Sequence, residues 1–87
     1  MKNDVIFSAE ALRDYLEWQI ADKKIAAKIN TLIKDIQRNG LMNGAGKPEV
    51  LNHIKGYSRH IDEYHRLIYN CENRILRIIS CKGHYEA

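Results

Sequence analysis

Ile25, Ala26, Ile29, Leu32, Ile33 and Ile36 recur at i, i+1, i+4, i+7, i+8 and i+11, a spacing that an α-helix turns into one apolar stripe. Lys23, Lys24, Lys28, Lys34, Asp35 and Arg38 fall mostly outside it. Such a helix has to bury its stripe against another layer, and the second half of the chain can supply one. From Tyr57 onward the residues turn to strand chemistry. Residues 57–61, 64–71 and 74–81 are three candidate strands, separated by Asp62-Glu63 and Glu72-Asn73. Loops this short make consecutive antiparallel hairpins.

Ahead of the striped helix, residues 3–7 read as a short strand. Ser8 is a good N-cap, Glu10 suits the positive end of a helix, and Leu12, Tyr15, Leu16, Gln19 and Ile20 continue at helical spacing. Asp22 caps the second helix and Asn39-Gly40 stops it. Residues 40–56 are the least regular part, holding Gly40, Gly44, Gly46, Gly56 and the sole proline. Pro48 biases Lys47 toward an extended backbone. This loop is either a plain connection or a rigid arm presenting Glu49. The fold expected is α+β: a small, twisted, mainly antiparallel sheet carrying an N-terminal helical hairpin on one face.

With 87 residues, 45% of them apolar, residues 1–87 form one domain with a real core. No run approaches the 18 apolar residues of a membrane-spanning helix, and Met1-Lys2-Asn3-Asp4 does not open a signal peptide. A cytoplasmic protein is expected. The net charge of +3 and pI near 9.0 suit RNA or an acidic partner and prove neither. Cys71 and Cys81 stand ten apart with no C-x-x-C or Cys/His cluster, so buried free thiols are expected instead of a zinc site.

RNA carries its own nucleophile, the 2′-hydroxyl, so its cleavage needs only a base, an acid and cations for the phosphate. Glu49 can take a proton, His84 can give one, and Arg66 can hold a phosphate with its planar fork. Each also has a plain alternative. Glu49 can be a solvated loop carboxylate, Arg66 can pair with Asp62 or Glu63, and His84 can be a solvated residue near the terminus. Arg59 and His60 are candidate phosphate contacts, with Lys47 and Lys82 as further cations, and Tyr85 can stack on a base. A two-residue loop in the first hairpin would set Arg59 opposite Arg66 on one face. In the second, Arg66 and His84 share a face only with a three-residue loop or a bulge. Tyr15 and Trp18 read as packing, and His65 can equally be core. No H-E-x-x-H occurs, and Gly44-Ala45-Gly46-Lys47 runs into Pro48 where a phosphate-binding loop needs Ser or Thr. No metal and no cofactor is expected.

Taken in order, the motifs resemble a family. Trp18…Asp22-Lys23, Lys28-Ile29-Asn30-x-Leu32-Ile33-Lys34-Asp35-Ile36, Gly46-Lys47-Pro48-Glu49-x-Leu51, Tyr57-Ser58-Arg59-x-Ile61, His65-Arg66-Leu67-Ile68-Tyr69 and Cys81-x-x-His84-Tyr85 are similar to the Txe/YoeB toxins of the RelE superfamily. The resemblance runs from about residue 5 to residue 85. It implies a RelE-like fold and the toxin of a type II toxin–antitoxin pair, which cuts mRNA in the ribosomal A site and stops translation. It implies Glu49 as general base, His84 as general acid, Arg66 as the cation for the transition state, and Tyr85 as a substrate contact. It also implies a YefM-like antitoxin, the ribosome and mRNA as partners, no membrane, and a possible homodimer. The chain departs from the familiar pattern at Tyr57, where a tryptophan is often seen, at His60 for arginine, at Asn52 for lysine, and by ending in Glu86-Ala87. Two other readings share the fold: a ParE-like gyrase poison that does not cut RNA, and a catalytically weak module that only binds its antitoxin.

Overall fold

The computed structural model describes residues 3–83. Strand β1 (Asp4–Phe7) leads into helix α1 (Ala9–Ala21) and then α2 (Lys23–Asn39). An irregular loop leads to β2 (Glu49–Val50), followed by β3 (Tyr57–His60), β4 (Arg66–Glu72) and β5 (Ile75–Ser80). The five strands form one sheet in the order β1-β5-β4-β3-β2. Only the β1–β5 pair is parallel, so the expected α+β, mainly antiparallel architecture holds. No helix among the described residues is long and apolar enough to cross a membrane.

Local chemistry sets the helix ends. The Ser8 hydroxyl accepts the Ala11 N–H and donates to the Ile79 carbonyl, while its own N–H donates to Ile78. One residue thus caps α1 and ties it to β5. Asp22 ends α1 and caps α2 by accepting the N–H groups of Lys24 and Ile25. Gly40, at φ 95°, closes α2 with its N–H on the Ile36 carbonyl.

The α2 stripe is core as expected: Ala26, Ile29, Leu32, Ile33 and Ile36 are buried. All but Ala26 belong to one core cluster with Leu67, Tyr69, Leu76 and Ile78 on one face of the sheet. Helix α1 forms where the spacing suggested it, yet little of its apolar surface is covered. It buries Ala11 and half-buries Tyr15 and Trp18, leaving Leu12, Leu16 and Ile20 exposed, Ile20 by 89%. Its docking is fixed by Ser8 at one end and at the other by Trp18, whose indole N–H donates to the Cys81 carbonyl. Those anchors turn the apolar stripe outward.

Both hairpins differ from the expected loops. The first joins His60 to Arg66, which pair across the ladder, so residues 61–65 form the loop and Arg59 lies opposite Leu67. The Asp62 carboxylate lengthens it by accepting the N–H groups of Tyr64 and His65. The second turns on Asn73 and Arg74, both at positive φ, one residue later than expected. Its pairing moves from Tyr69↔Ile78 to Ile68↔Ser80, which makes Ile79 the extra residue of a bulge.

Because the Asp22 carboxylate caps α2 by accepting two N–H groups, Asp22→Ala should cost about 1 kcal/mol. That should lower Tm by roughly 4–8 °C. Asp22→Asn, which keeps an acceptor oxygen, should lose much less. Thermal unfolding followed by circular dichroism measures both, and an unshifted alanine variant would refute the side-chain cap of α2.

Candidate functional site

Side chains alternate across a strand, and the register sorts this sheet into two faces. Tyr57, Arg59, Leu67 and Tyr69 point toward the helices. Their neighbours Ser58, His60, Arg66 and Ile68 point the other way. Glu49 pairs with Ser58 and joins that second face, so Glu49, Ser58, Ile68 and Ser80 form a row across four strands. His60 and Arg66 make the next row. Strand spacing places the Cα atoms of Glu49 and Arg66 roughly 12 Å apart on the diagonal, close enough for their side chains to reach one small group between them.

Glu49 is exposed and stands at the end of the arm that begins at Gly46. The Gly46 carbonyl accepts the His60 N–H at 2.6 Å, and past Glu49 the Leu51 N–H donates to Gly56 at 3.0 Å. The arm is therefore pinned on both sides of the carboxylate. Lys47, also exposed, takes φ 53° instead of the extended form expected before proline. The tertiary bonds that fix Gly46 override the local preference.

Arg66 is 9% exposed. Its Nη1 donates to the carbonyls of Asp62, Glu63 and His65 at 3.0, 3.1 and 3.2 Å, and its backbone N–H donates to Gly83. Among the described residues no carboxylate lies within salt-bridge distance of it. The partners are neutral carbonyls, which orient the guanidinium without cancelling its charge. His65, opposite in role to the core residue it could have been, accepts the Gly83 N–H at Nδ1 and lies edge-on to Trp18 and Tyr64. With Trp18 on Cys81, these bonds fix the segment that leads to His84. His84 and Tyr85 themselves lie outside the described residues.

The expected phosphate contact at Arg59 is corrected. Arg59 is fully buried on the helix side. A guanidinium has five N–H donors, and Arg59 directs them at the Tyr69 hydroxyl, Asp35, and the carbonyls of Ala45, Gly40 and Asn43. None is left for a phosphate. Lys82 turns toward α1, with Nζ 3.4 Å from Glu17 and over the Trp18 ring. Arg66 and His60 share the open face with Glu49, Arg77 lies farther along it on β5, and Lys47 is exposed two residues before Glu49. Sequence reasoning missed Asp35 and Tyr69, which organise the loop from beneath. The one available signal was Asp35 itself, an acid directly beside the stripe residue Ile36.

Neither cysteine is oxidised: Cys71 is half-buried and Cys81 buried. Burial, followed by the nearby charges of Asp14 and Glu10, pushes the Cys81 thiol up to about 12, so it is a packing residue and not a nucleophile.

Comparison with known proteins supplies the context for this geometry. Residues 7–85 match the sequence model of the YoeB-like toxins of bacterial type II toxin–antitoxin systems. The chain is 48% identical over 83 residues to toxin YoeB of Escherichia coli strain K12, covering 93% of this chain and 98% of that protein. A YoeB dimer from Staphylococcus aureus superposes with a TM-score of 0.91 at 45% identity, covering 98% of this chain and 100% of that one. YoeB in a heterotetrameric YoeB–YefM toxin–antitoxin complex from the same organism gives 0.88 at 44% identity, with coverage of 98% and 100%.

Two acids beneath the site titrate low. For Asp62 the chief cause is the His65 N–H; burial opposes it, and the Tyr64 N–H and the charges of His65 and Arg66 add to the lowering. For Asp35 burial pushes upward, but the Ala45 N–H, Arg59 and Asn39 outweigh it. Both carboxyls sit below their ordinary 3.8, so the folded state binds fewer protons than the unfolded chain. Their stabilisation is present above that pH and is lost as pH falls through the lowered native values. Urea midpoints should therefore drop below about pH 4, and Asp62→Asn should make the acid limb shallower. An identical limb in that variant would refute the assignment.

Proposed function

The chain belongs to the YoeB family of toxins of bacterial type II toxin–antitoxin systems, and from that membership we propose that it is a ribosome-dependent mRNA endonuclease. The observation that carries this is the open face of the sheet. A carboxylate on a pinned arm and a carbonyl-anchored guanidinium share that face, with Gly83, next before His84, tied beside them.

In this reading Glu49 takes the proton of the 2′-hydroxyl. The 2′-oxygen forms a bond to phosphorus as the bond from phosphorus to the 5′-oxygen breaks, and His84 gives that oxygen its proton. The products are a 2′,3′-cyclic phosphate and a 5′-hydroxyl end. Arg66 faces the charge that gathers on the phosphoryl oxygens, and its fixed donors need no rearrangement as that charge grows. Tyr85 contacts the substrate. With Arg59 spent within the fold and Lys82 paired with Glu17, the described residues next to Glu49 and Arg66 offer few further cations to a free RNA strand. That sparse charge supports a requirement for the ribosome, which holds the mRNA in the A site and presents the bond to be cut.

A YefM-like antitoxin is the expected partner that masks this face, and self-association as a homodimer is part of the same reading. Both correspond to the YoeB–YefM complex and the YoeB dimer of Staphylococcus aureus.

Purified protein added to ribosomes stalled on a defined mRNA should cut within the A-site codon and leave free mRNA intact. Glu49→Gln and His84→Gln should each lower the single-turnover rate by about 10²–10⁴-fold. Arg66→Ala should lower it by at least about 10²-fold. No cut from folded protein at stoichiometric amounts would overturn this reading, and inhibition of DNA gyrase in its place would establish the ParE-like alternative.

A further inference from the structure

The segment from Gly40 to Gly46 forms turns and bends, so its carbonyls and N–H groups need partners from outside regular structure. One buried cluster provides them. Arg59 Nη2 donates to Gly40 and Asn43 at 2.8 and 2.7 Å, and Nη1 donates to Ala45 at 2.9 Å. The Asp35 carboxylate accepts the Ala45 N–H at 2.9 Å. The Tyr69 hydroxyl accepts from Arg59 Nε at 2.9 Å and donates to the Leu41 carbonyl at 2.6 Å. These groups come from α2, β3 and β4, and they converge on one short loop.

The loop is shaped to the cluster as well. A Cβ at Gly44 would lie 2.0 Å from Asp35 Oδ2, and one at Gly46 would lie 3.1 Å from Arg59 Cβ. Both glycines also have positive φ, 108° and 87°. From Gly46 the chain passes through Lys47 and Pro48 directly to Glu49, so any play in the loop reaches the carboxylate with only a stiff dipeptide between them.

We propose that Arg59, with Asp35 and Tyr69, is a buried clamp that sets the position of Glu49 from the helix side of the sheet. Arg59 is then a positioning residue for cleavage, acting through the arm and touching no RNA. This rests on the endonuclease reading for its kinetic consequence, though not for the clamp itself. A displacement of about 1 Å at a reacting group can cost 10²-fold in rate.

Arg59→Lys keeps a cation beside Asp35, but one ammonium cannot reach three loop carbonyls at once. Tyr69→Phe is the milder variant, removing one hydroxyl and keeping the ring in the core. On stalled ribosomes, kcat should fall about 10²-fold in Arg59→Lys and about 10-fold in Tyr69→Phe, with KM held within about twofold. Combining Arg59→Lys with Glu49→Gln should be no slower than Glu49→Gln alone, because the clamp acts only through that carboxylate. Amide hydrogen exchange at residues 41–47 should speed up in both single variants and stay unchanged in β4 and β5. A raised KM with a flatter salt dependence would mean that Arg59 touches phosphate, and it would overturn the proposal. So would additive losses in the double variant, or folded variants with unaltered exchange. If the unaltered protein cuts no mRNA, the endonuclease reading fails while exchange still decides the clamp: faster exchange at residues 41–47 upholds it and unaltered exchange overturns it.

Discussion

A fully buried guanidinium sits where a helix, an irregular loop and two strands meet, and it bonds to all of them at once. Burying a charge without compensation is expensive, and removing one partner of such a pair costs about 3–5 kcal/mol. Arg59 is compensated by the Asp35 carboxylate and by four neutral oxygens. Three of those oxygens are carbonyls of a turn that makes no ladder. The interaction thus satisfies two deficits together. The loop needs donors, and the arginine needs acceptors.

That arrangement depends on register. Arg59 faces the helices only because its strand pairs His60 with Arg66, and a shift of one residue would exchange the two faces. The shift is prevented by the five-residue hairpin loop, which Asp62 closes with two backbone bonds. The same loop then offers its carbonyls to Arg66. One turn therefore sends two arginines to opposite faces, where one holds the arm of Glu49 and the other, anchored by backbone carbonyls, stands opposite His60.

Much of this was legible in the sequence, and the failures have physical causes. The α2 stripe, the Ser8 and Asp22 caps and the Gly40 stop are local patterns, and each lies where the spacing put it. Helix α1 lies where its spacing placed it, but spacing does not say which face is covered, and Leu12, Leu16 and Ile20 are exposed. Loop lengths were misjudged because an aspartate bonding to N–H groups ahead of it adds residues to a turn without changing its composition. Arg59 was misread for a different reason. An arginine in a basic strand two residues from a tyrosine looks the same whether it meets a phosphate or a buried acid, and Asp35 lies 24 positions away. The bulge at Ile79 was foreseen only as a condition, because a one-residue register shift leaves no local mark.

The arm carries strain that local sequence would not choose. Lys47 holds a left-handed backbone ahead of a proline, and Gly46 is packed against Arg59, Leu32 and the His60 carbonyl. A non-glycine residue in that region costs of order 1–3 kcal/mol and persists only where its surroundings dictate it. Here they do, because every bond from Asp35 and Arg59 to the loop is made by a group with no better partner available. Asp35 must be ionised for this to hold, and its hydrogen bonds keep it so at neutral pH in spite of burial. The exposed carboxylate of Glu49 is consequently set in place by a charge pair on the far side of the sheet, away from the face where substrate would bind.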